Sequence, residues 1–130
     1  DGNIAISEVG ARPPGAQFST LLSYAHDVDF YKAWPQLMVY RKFEPPRREY
    51  AAGAAYIRGQ GRGRIVRIHG VDDVQRRFGG IVVEAKLPQQ GQPPSDSYEG
   101  DGYIIVRHPD TDVVANALRE IVRTIRVELQ

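Results

Sequence analysis

Two kinds of apolar spacing alternate from Tyr50 to Leu129, and their order is the feature that most constrains the fold. Alternate apolar residues predict strands, and apolar residues three or four positions apart predict helices. The predicted strands cover 50–58, 64–69, 81–87, 103–107 and 125–129, and the predicted helices cover 71–78 and a segment capped by Asp110 or Thr111 that runs to about residue 122. This order is typical of an α+β lobe of antiparallel strands with two helices packed on one face. The glycine-rich residues 59–63 predict a hairpin turn between the first two strands.

The first forty residues follow a different pattern. Residues 3–9 predict a strand that ends at Glu8 or Val9, and the prolines and glycine of residues 12–15 predict a rigid loop after it. Apolar residues at helical spacing then predict two short helices, over 18–25 and 30–38. Pro35 is expected to end or kink the second helix unless it falls in the first turn.

Residues 41–50 contain two prolines among many charges, which is a composition typical of linkers. We therefore predict a division of the 130 residues into 1–44, with the closing strand, loop and two helices, and 45–130, the α+β lobe. Residues 88–101, rich in proline, glycine, serine and glutamine without any period, predict an exposed and mobile loop.

Composition excludes several classes of protein. The chain contains no cysteine, which rules out disulfide frameworks, thiol nucleophiles and iron–sulfur clusters and fits a cytoplasmic location. The net charge of +1 gives no overall attraction to a polyanion. No apolar stretch approaches the roughly 20 residues of a membrane helix, so no membrane partner is expected. The start at Asp1, without features of a signal peptide, suggests that the sequence begins inside a longer chain.

Glu8 and Arg12 are the candidate site residues. A carboxylate at the end of a strand can bind Mg²⁺ through oxygen, and a nearby guanidinium can bind a phosphate or carboxylate in a bidentate manner. The alternative is an ordinary surface ion pair between the two side chains, and spacing alone does not separate these possibilities.

The run Glu8-Val9-Gly10-Ala11-Arg12-Pro13-Pro14-Gly15 resembles the closing strand and loop of the ATP-grasp superfamily, whose usual pattern is Glu-Val-Asn-x-Arg followed by a glycine-rich pair. The resemblance implies that Glu8 is a magnesium ligand and that Arg12 is a catalytic residue facing the transferred phosphoryl group or the substrate carboxylate. Gly10 stands in the place of the asparagine ligand, and Pro14 replaces a glycine of the loop.

The order of elements after this loop is also similar to the C-terminal part of carboxylate–amine ligases, in particular L-amino-acid ligases and the formate-dependent glycinamide ribonucleotide transformylase. Residues 1–44 would then end the ATP-grasp domain. The resemblance implies ATP and Mg²⁺ as cofactors, small-molecule carboxylate and amine substrates, and an upstream ATP-grasp domain as partner. A fragment of this kind is expected to bind ATP weakly and to be inactive alone.

Two other interpretations stay open. The arginines of 41–48 and 58–67 suggest a basic surface for nucleic acid or another acidic partner, although arginines at a glycine-rich hairpin tip also keep a sheet edge soluble. The small residues of 51–55 suggest close packing against another sheet or against another subunit, as in a homodimer, and the sequence does not separate these two possibilities. The three histidines are too far apart in sequence for metal-ligand spacing, so each is interpreted as a polar surface residue or a satisfied hydrogen-bond partner.

Overall fold

The computed structural model describes residues 2–6, 9–10 and 12–130 of the chain. Helices α1 (Phe18–His26) and α2 (Phe30–Tyr40) confirm the two helices predicted near the N-terminus. The side chain of Asp29 caps α2 by accepting a hydrogen bond from the Lys32 backbone N–H at 3.0 Å. Pro35 lies inside α2, which continues to Tyr40. The expectation that the helix ends at Pro35 is therefore wrong, because one missing amide donor did not outweigh the hydrogen bonds on either side, while the alternative of a kink stays a prediction.

The strand predicted over residues 3–9 is not seen in its described part. Residues 2–6 and 9–10 form neither helix nor strand. Ile4 and Ile6 are 95% and 80% exposed, so neither is buried against the described chain. A strand needs a neighbour for its backbone hydrogen bonds, and no described strand pairs with this segment.

The remaining elements follow the predicted order and confirm the α+β class. They are β1 (Ala51–Ile57), β2 (Ile65–His69), α3 (Val71–Phe78), β3 (Val82–Lys86), β4 (Gly102–His108), α4 (Thr111–Thr124) and β5 (Arg126–Leu129). The predicted linker, residues 41–50, contains neither helix nor strand. The division at residue 44 stays a prediction. Across it, α1 of the first part packs directly against β1 and β4 of the second.

The strands form two antiparallel sheets, in the orders β1-β4-β3 and β2-β5. Ala51 pairs with His108 and Ile57 with Gly102, so β1 lies along the whole of β4. The predicted β1–β2 hairpin is wrong. Ile104, Ile105 and Val106 of β4 are at most 3% exposed, and a strand buried on both faces is typically central, with a neighbour along each edge. β1 supplies one of these neighbours, and β2 pairs with β5 instead.

The core lies between the three-stranded sheet and the helices α3 and α4. Val114, Ala117 and Ile121 of α4 are at most 4% exposed. Gly53 lets α4 approach β1, because a Cβ there would lie 2.5 Å from Leu118 Cδ1. The opposite face of the sheet is covered by α1. In the part of the chain that the structure describes, no helix has the length and apolar character needed to cross a membrane.

Candidate functional site

The two predicted site residues differ in what the structure shows of them. Glu8 lies outside the described residues, so its role as a magnesium ligand stays a prediction. Arg12 is exposed at a bend before α1. Within the described ranges no carboxylate forms an ion pair with the Arg12 guanidinium. The alternative of a surface ion pair with Glu8 stays open, because Glu8 lies outside those ranges.

The loop after Arg12 is held at its far end by two residues that are distant in sequence. The backbone N–H of Ala16 donates to Glu99 Oε1 at 3.1 Å, and the Ala16 carbonyl accepts a hydrogen bond from the Tyr56 hydroxyl. Tyr56 belongs to β1, and Glu99 belongs to the segment between β3 and β4. We call Tyr56 and Glu99 the loop clamp. Both backbone groups of Ala16 are therefore satisfied by side chains of the α+β lobe.

The backbone at the end of this loop is unusual. Ala16 and Gln17 have φ angles of 53° and 60°, in the left-handed region that residues other than glycine rarely adopt. Each such residue costs about 1–2 kcal/mol, so this conformation requires specific partners. The loop clamp supplies two of them, and the Thr20 hydroxyl supplies a third by donating to Gln17 Oε1 at 3.0 Å.

The protonation state of Tyr56 suits its role as a donor. Burial raises the pKa of Tyr56, and the nearby Glu99 charge and Tyr98 raise it further. The hydroxyl therefore keeps its proton at neutral pH and in moderately alkaline solution. The hydrogen bond to the Ala16 carbonyl does not depend on pH in that range.

The loop also borders a small apolar pocket of 220 Å³. Its walls are residues of the loop, of α1 and α2, and of the extended segment after α2: Pro13, Pro14, Ser19, Leu22, Phe30, Ala33, Trp34, Leu37 and Phe43. Phe30, Trp34 and Met38 are spaced four residues apart in α2, which places them on one face of the helix. Trp34 and Phe30 do line the pocket, but Met38 is 58% exposed.

A second polar cluster joins α1 to the sheet. The hydroxyls of Tyr24 and Tyr103 donate to the two oxygens of Glu84, at 3.0 Å and 2.6 Å. The hydrogen bond to Glu84 is the largest cause that raises the pKa of Tyr103 to about 12. Burial, followed by Glu84, raises the pKa of Tyr24. Both phenols are therefore protonated donors at neutral pH, and the cluster is a structural junction.

Arg107 extends this junction toward the C-terminal end of α1. Its Nη1 lies 2.9 Å from Asp27 Oδ1 and donates to the Tyr24 carbonyl at 3.4 Å. The guanidinium also lies over the Tyr50 ring, 4.2 Å from the centroid. The sequence did not predict these contacts. Arg107 and Asp27 are 80 positions apart, and no motif links them.

The described residues do not form a complete metal site. They contain no group of three or more histidine, aspartate or glutamate side chains placed to bind one ion. Each histidine is instead hydrogen bonded: His26 to the Leu22 carbonyl at 2.9 Å, His69 to Glu128 at 2.8 Å, and His108 to the Asp110 N–H at 3.0 Å. These contacts confirm that the histidines are satisfied hydrogen-bond partners.

The predicted basic surface is partly used within the chain. Arg58 donates to the Ser95 carbonyl at 3.2 Å and to the Ser97 carbonyl, and Arg64 donates to the Gly91 carbonyl at 2.6 Å. These two guanidinium groups hold the 88–101 segment against the ends of β1 and β2. That segment has no helix or strand, as predicted, but it is hydrogen bonded to the lobe along its length.

Two larger enzymes contain a segment with this fold. Over 93% of the chain, the structure resembles 31% of an L-amino acid ligase from Bacillus licheniformis, with a TM-score of 0.71 and 20% sequence identity. Over 88% of the chain, it resembles 31% of a phosphoribosylglycinamide synthetase from Anaerococcus prevotii, with a TM-score of 0.61 and 16% identity. Both are ATP-grasp enzymes.

This chain has the fold of a segment of ATP-grasp enzymes. The predicted resemblance is thus confirmed at the level of the fold, including the likeness to L-amino-acid ligases. The chain spans about a third of the length of each of these ATP-grasp enzymes. No protein-family model matches the sequence, and no curated protein matches it. The likeness to the formate-dependent transformylase stays a prediction.

Proposed function

We propose that this chain is the C-terminal part of an ATP-grasp ligase. The observation that carries the proposal is the structural likeness over 93% of the chain to an L-amino acid ligase. The reaction would transfer the γ-phosphoryl group of ATP to a substrate carboxylate, giving an acyl phosphate and ADP. An amine or similar nucleophile would then attack the acyl carbon and release inorganic phosphate. The absence of cysteine supports a cytoplasmic location for that enzyme.

Arg12 is the described residue to which we assign a catalytic role. Its exposed guanidinium suits an anion that approaches from outside the lobe, either the substrate carboxylate or the transferred phosphoryl group. Phosphoryl transfer depends mainly on positioning and on neutralising negative charge, and a fixed guanidinium contributes to both. Glu8 is proposed as a ligand of Mg²⁺, which would neutralise phosphate charge when bound.

We further propose that the 130-residue chain is inactive alone. It spans 31% of the length of each enzyme that it resembles, so most of a nucleotide site would lie elsewhere. Calorimetry of the isolated chain with ATP and Mg²⁺ is expected to show no binding in the micromolar range. Micromolar ATP affinity would contradict this proposal.

The complete ligase tests the assigned residues. Glu8→Gln keeps the size of the side chain but removes its charge, and Arg12→Lys keeps the charge but loses the bidentate fork. Each should lower turnover by roughly a hundredfold or more, the size of effect found when one electrostatic catalytic group is removed. Exposed residues outside the site, Glu44 and Arg62, provide the matched controls Glu44→Gln and Arg62→Lys. Control-like kinetics in both site variants would refute the assignment.

The arginine-rich alternative has its own measurement. If the segments 41–48 and 58–67 bind nucleic acid, oligonucleotide affinity should fall steeply and logarithmically with salt, because several counterions are released on binding. The ligase proposal expects almost no oligonucleotide binding at physiological salt. Arg58 and Arg64 already donate to backbone carbonyls, which leaves fewer guanidinium groups for phosphates.

A further inference from the structure

The loop clamp connects the α+β lobe to the residue next to the proposed catalytic loop. Tyr56 and Glu99 are 40 and 83 positions from Ala16, yet their side chains meet the carbonyl and the N–H of this one residue. Both clamp residues are half-buried. The two hydrogen bonds hold the two successive peptide units that flank the Ala16 Cα, and together they fix the direction of the backbone at this residue.

The four residues from Arg12 to Gly15 transmit that constraint. Pro13 and Pro14 each have a fixed φ, so the chain between Arg12 and Ala16 has few free torsions. The Phe18 N–H donates to the Gly15 carbonyl at 3.1 Å and closes the turn into α1. An Ala16 residue held in place therefore restricts where the Arg12 backbone lies.

We propose that Tyr56 and Glu99 are positioning residues for Arg12. The inference rests on the proposed function of Arg12, and it assigns to the α+β lobe the task of orienting the catalytic loop. Neither residue needs to touch substrate. Tyr56 acts through its hydroxyl proton, and Glu99 acts through one acceptor oxygen, so the charge of Glu99 is not required for the contact.

This division of roles gives a graded set of variants. Tyr56→Phe removes the donor, and Glu99→Ala removes the acceptor. Glu99→Gln keeps an amide oxygen that can accept from the Ala16 N–H. Tyr103→Phe is the matched control. The Tyr103 hydroxyl also donates a hydrogen bond from the sheet, but its acceptor is Glu84 at 2.6 Å, which contacts α1 rather than the loop.

The first experiment measures steady-state kinetics of the complete ligase. Tyr56→Phe and Glu99→Ala should lower kcat by about tenfold or more with unchanged KM for ATP, because misplacing a catalytic group by about 1 Å can cost a hundredfold. Glu99→Gln should restore turnover to near the wild-type value, and Tyr103→Phe should match wild type. In an Arg12→Lys background, Tyr56→Phe should have little further effect, because it acts through Arg12.

The second experiment does not depend on activity. Amide hydrogen exchange of the 130-residue chain should show that the Ala16 N–H loses protection in Glu99→Ala and keeps it in Glu99→Gln and Tyr103→Phe. Unchanged Ala16 protection in Glu99→Ala would overturn the clamp, whatever the kinetics.

The two experiments separate the clamp from the ligase assignment. If Arg12→Lys is impaired while Tyr56→Phe and Glu99→Ala behave like Tyr103→Phe, the positioning role is wrong and the proposed function stands. If Arg12→Lys itself has wild-type kinetics, the catalytic assignment fails, and with it any positioning role. Equal losses of turnover from Tyr56→Phe in the wild-type and Arg12→Lys backgrounds would also overturn the proposal.

Discussion

Gly70 offers a sharp test of how closely α3 and α4 are packed. It lies between β2 and α3 with a φ of +83°, in the left-handed region. A Cβ at this position would lie 2.9 Å from both the carbonyl carbon and Cγ2 of Thr124, and even nearer to the carbonyl oxygen. Thr124 is the last residue of α4, so the obstacle includes backbone that cannot rotate away.

Gly91 is the matched control. Its φ of +85° is nearly the same, but a Cβ there would meet nothing within 4 Å. In Gly91→Ala the left-handed conformation should lower the free energy of unfolding by about 1–2 kcal/mol. The stiffer unfolded chain should offset roughly 0.4–1 kcal/mol of that loss. Gly70→Ala carries the same cost and adds about 1–3 kcal/mol for forcing an extra methyl group into a filled space.

Urea denaturation of the two variants measures the difference directly. The free energy of unfolding of Gly70→Ala should lie about 1–3 kcal/mol below that of Gly91→Ala, with similar m values. Because the two φ angles are alike, this difference isolates the contact with Thr124. Equal losses of stability in both variants would show that α4 does not end against Gly70 as described.

Three further predictions concern the polar contacts. Because the pKa of Tyr103 is raised to about 12 from its usual 10.0, its contribution to stability is complete below pH 10 and is lost toward pH 12. The free energy of unfolding, measured in urea, should therefore fall less between pH 10 and pH 12 in Tyr103→Phe than in wild type. Arg107→Ala should lower the free energy of unfolding by about 1 kcal/mol, because it removes the stacking on Tyr50 and the ion pair with Asp27. An unchanged midpoint of thermal unfolding would show that these contacts do not stabilise the fold. Asp110→Ala, which removes the acceptor 2.8 Å from the Asp112 N–H, should cost about 1 kcal/mol, whereas an unchanged urea midpoint would contradict the cap.

The positions of the helices and strands could be predicted because their signals are local. Val114, Ala117 and Ile121 repeat at the helical period that places them on one face of α4, and all three are buried. Strand pairing is a different problem. The glycine-rich residues 59–63 resembled a hairpin turn, but β4 is apolar on both faces and takes β1 as a neighbour. No local pattern distinguishes a turn that joins paired strands from a crossing between two sheets.

The assignment of Glu8 and Arg12 to a site stays a prediction. The motif around Arg12 located the loop, because its residue types and spacing resemble a known pattern. The loop clamp had no comparable signal, since its two contacts span 40 and 83 positions.

Residues 88–101 show why a loop prediction says little about order. The absence of an apolar period correctly predicted the absence of helix and strand. It did not predict that Asp101 accepts from the Gly59 N–H at 2.7 Å and from the Ser95 N–H at 2.5 Å, or that Glu99 reaches Ala16. Periodicity reports which face of an element is buried, whereas this segment is fixed by single polar contacts that repeat at no interval. A segment without periodicity can therefore be the part of a lobe that holds a distant loop in place.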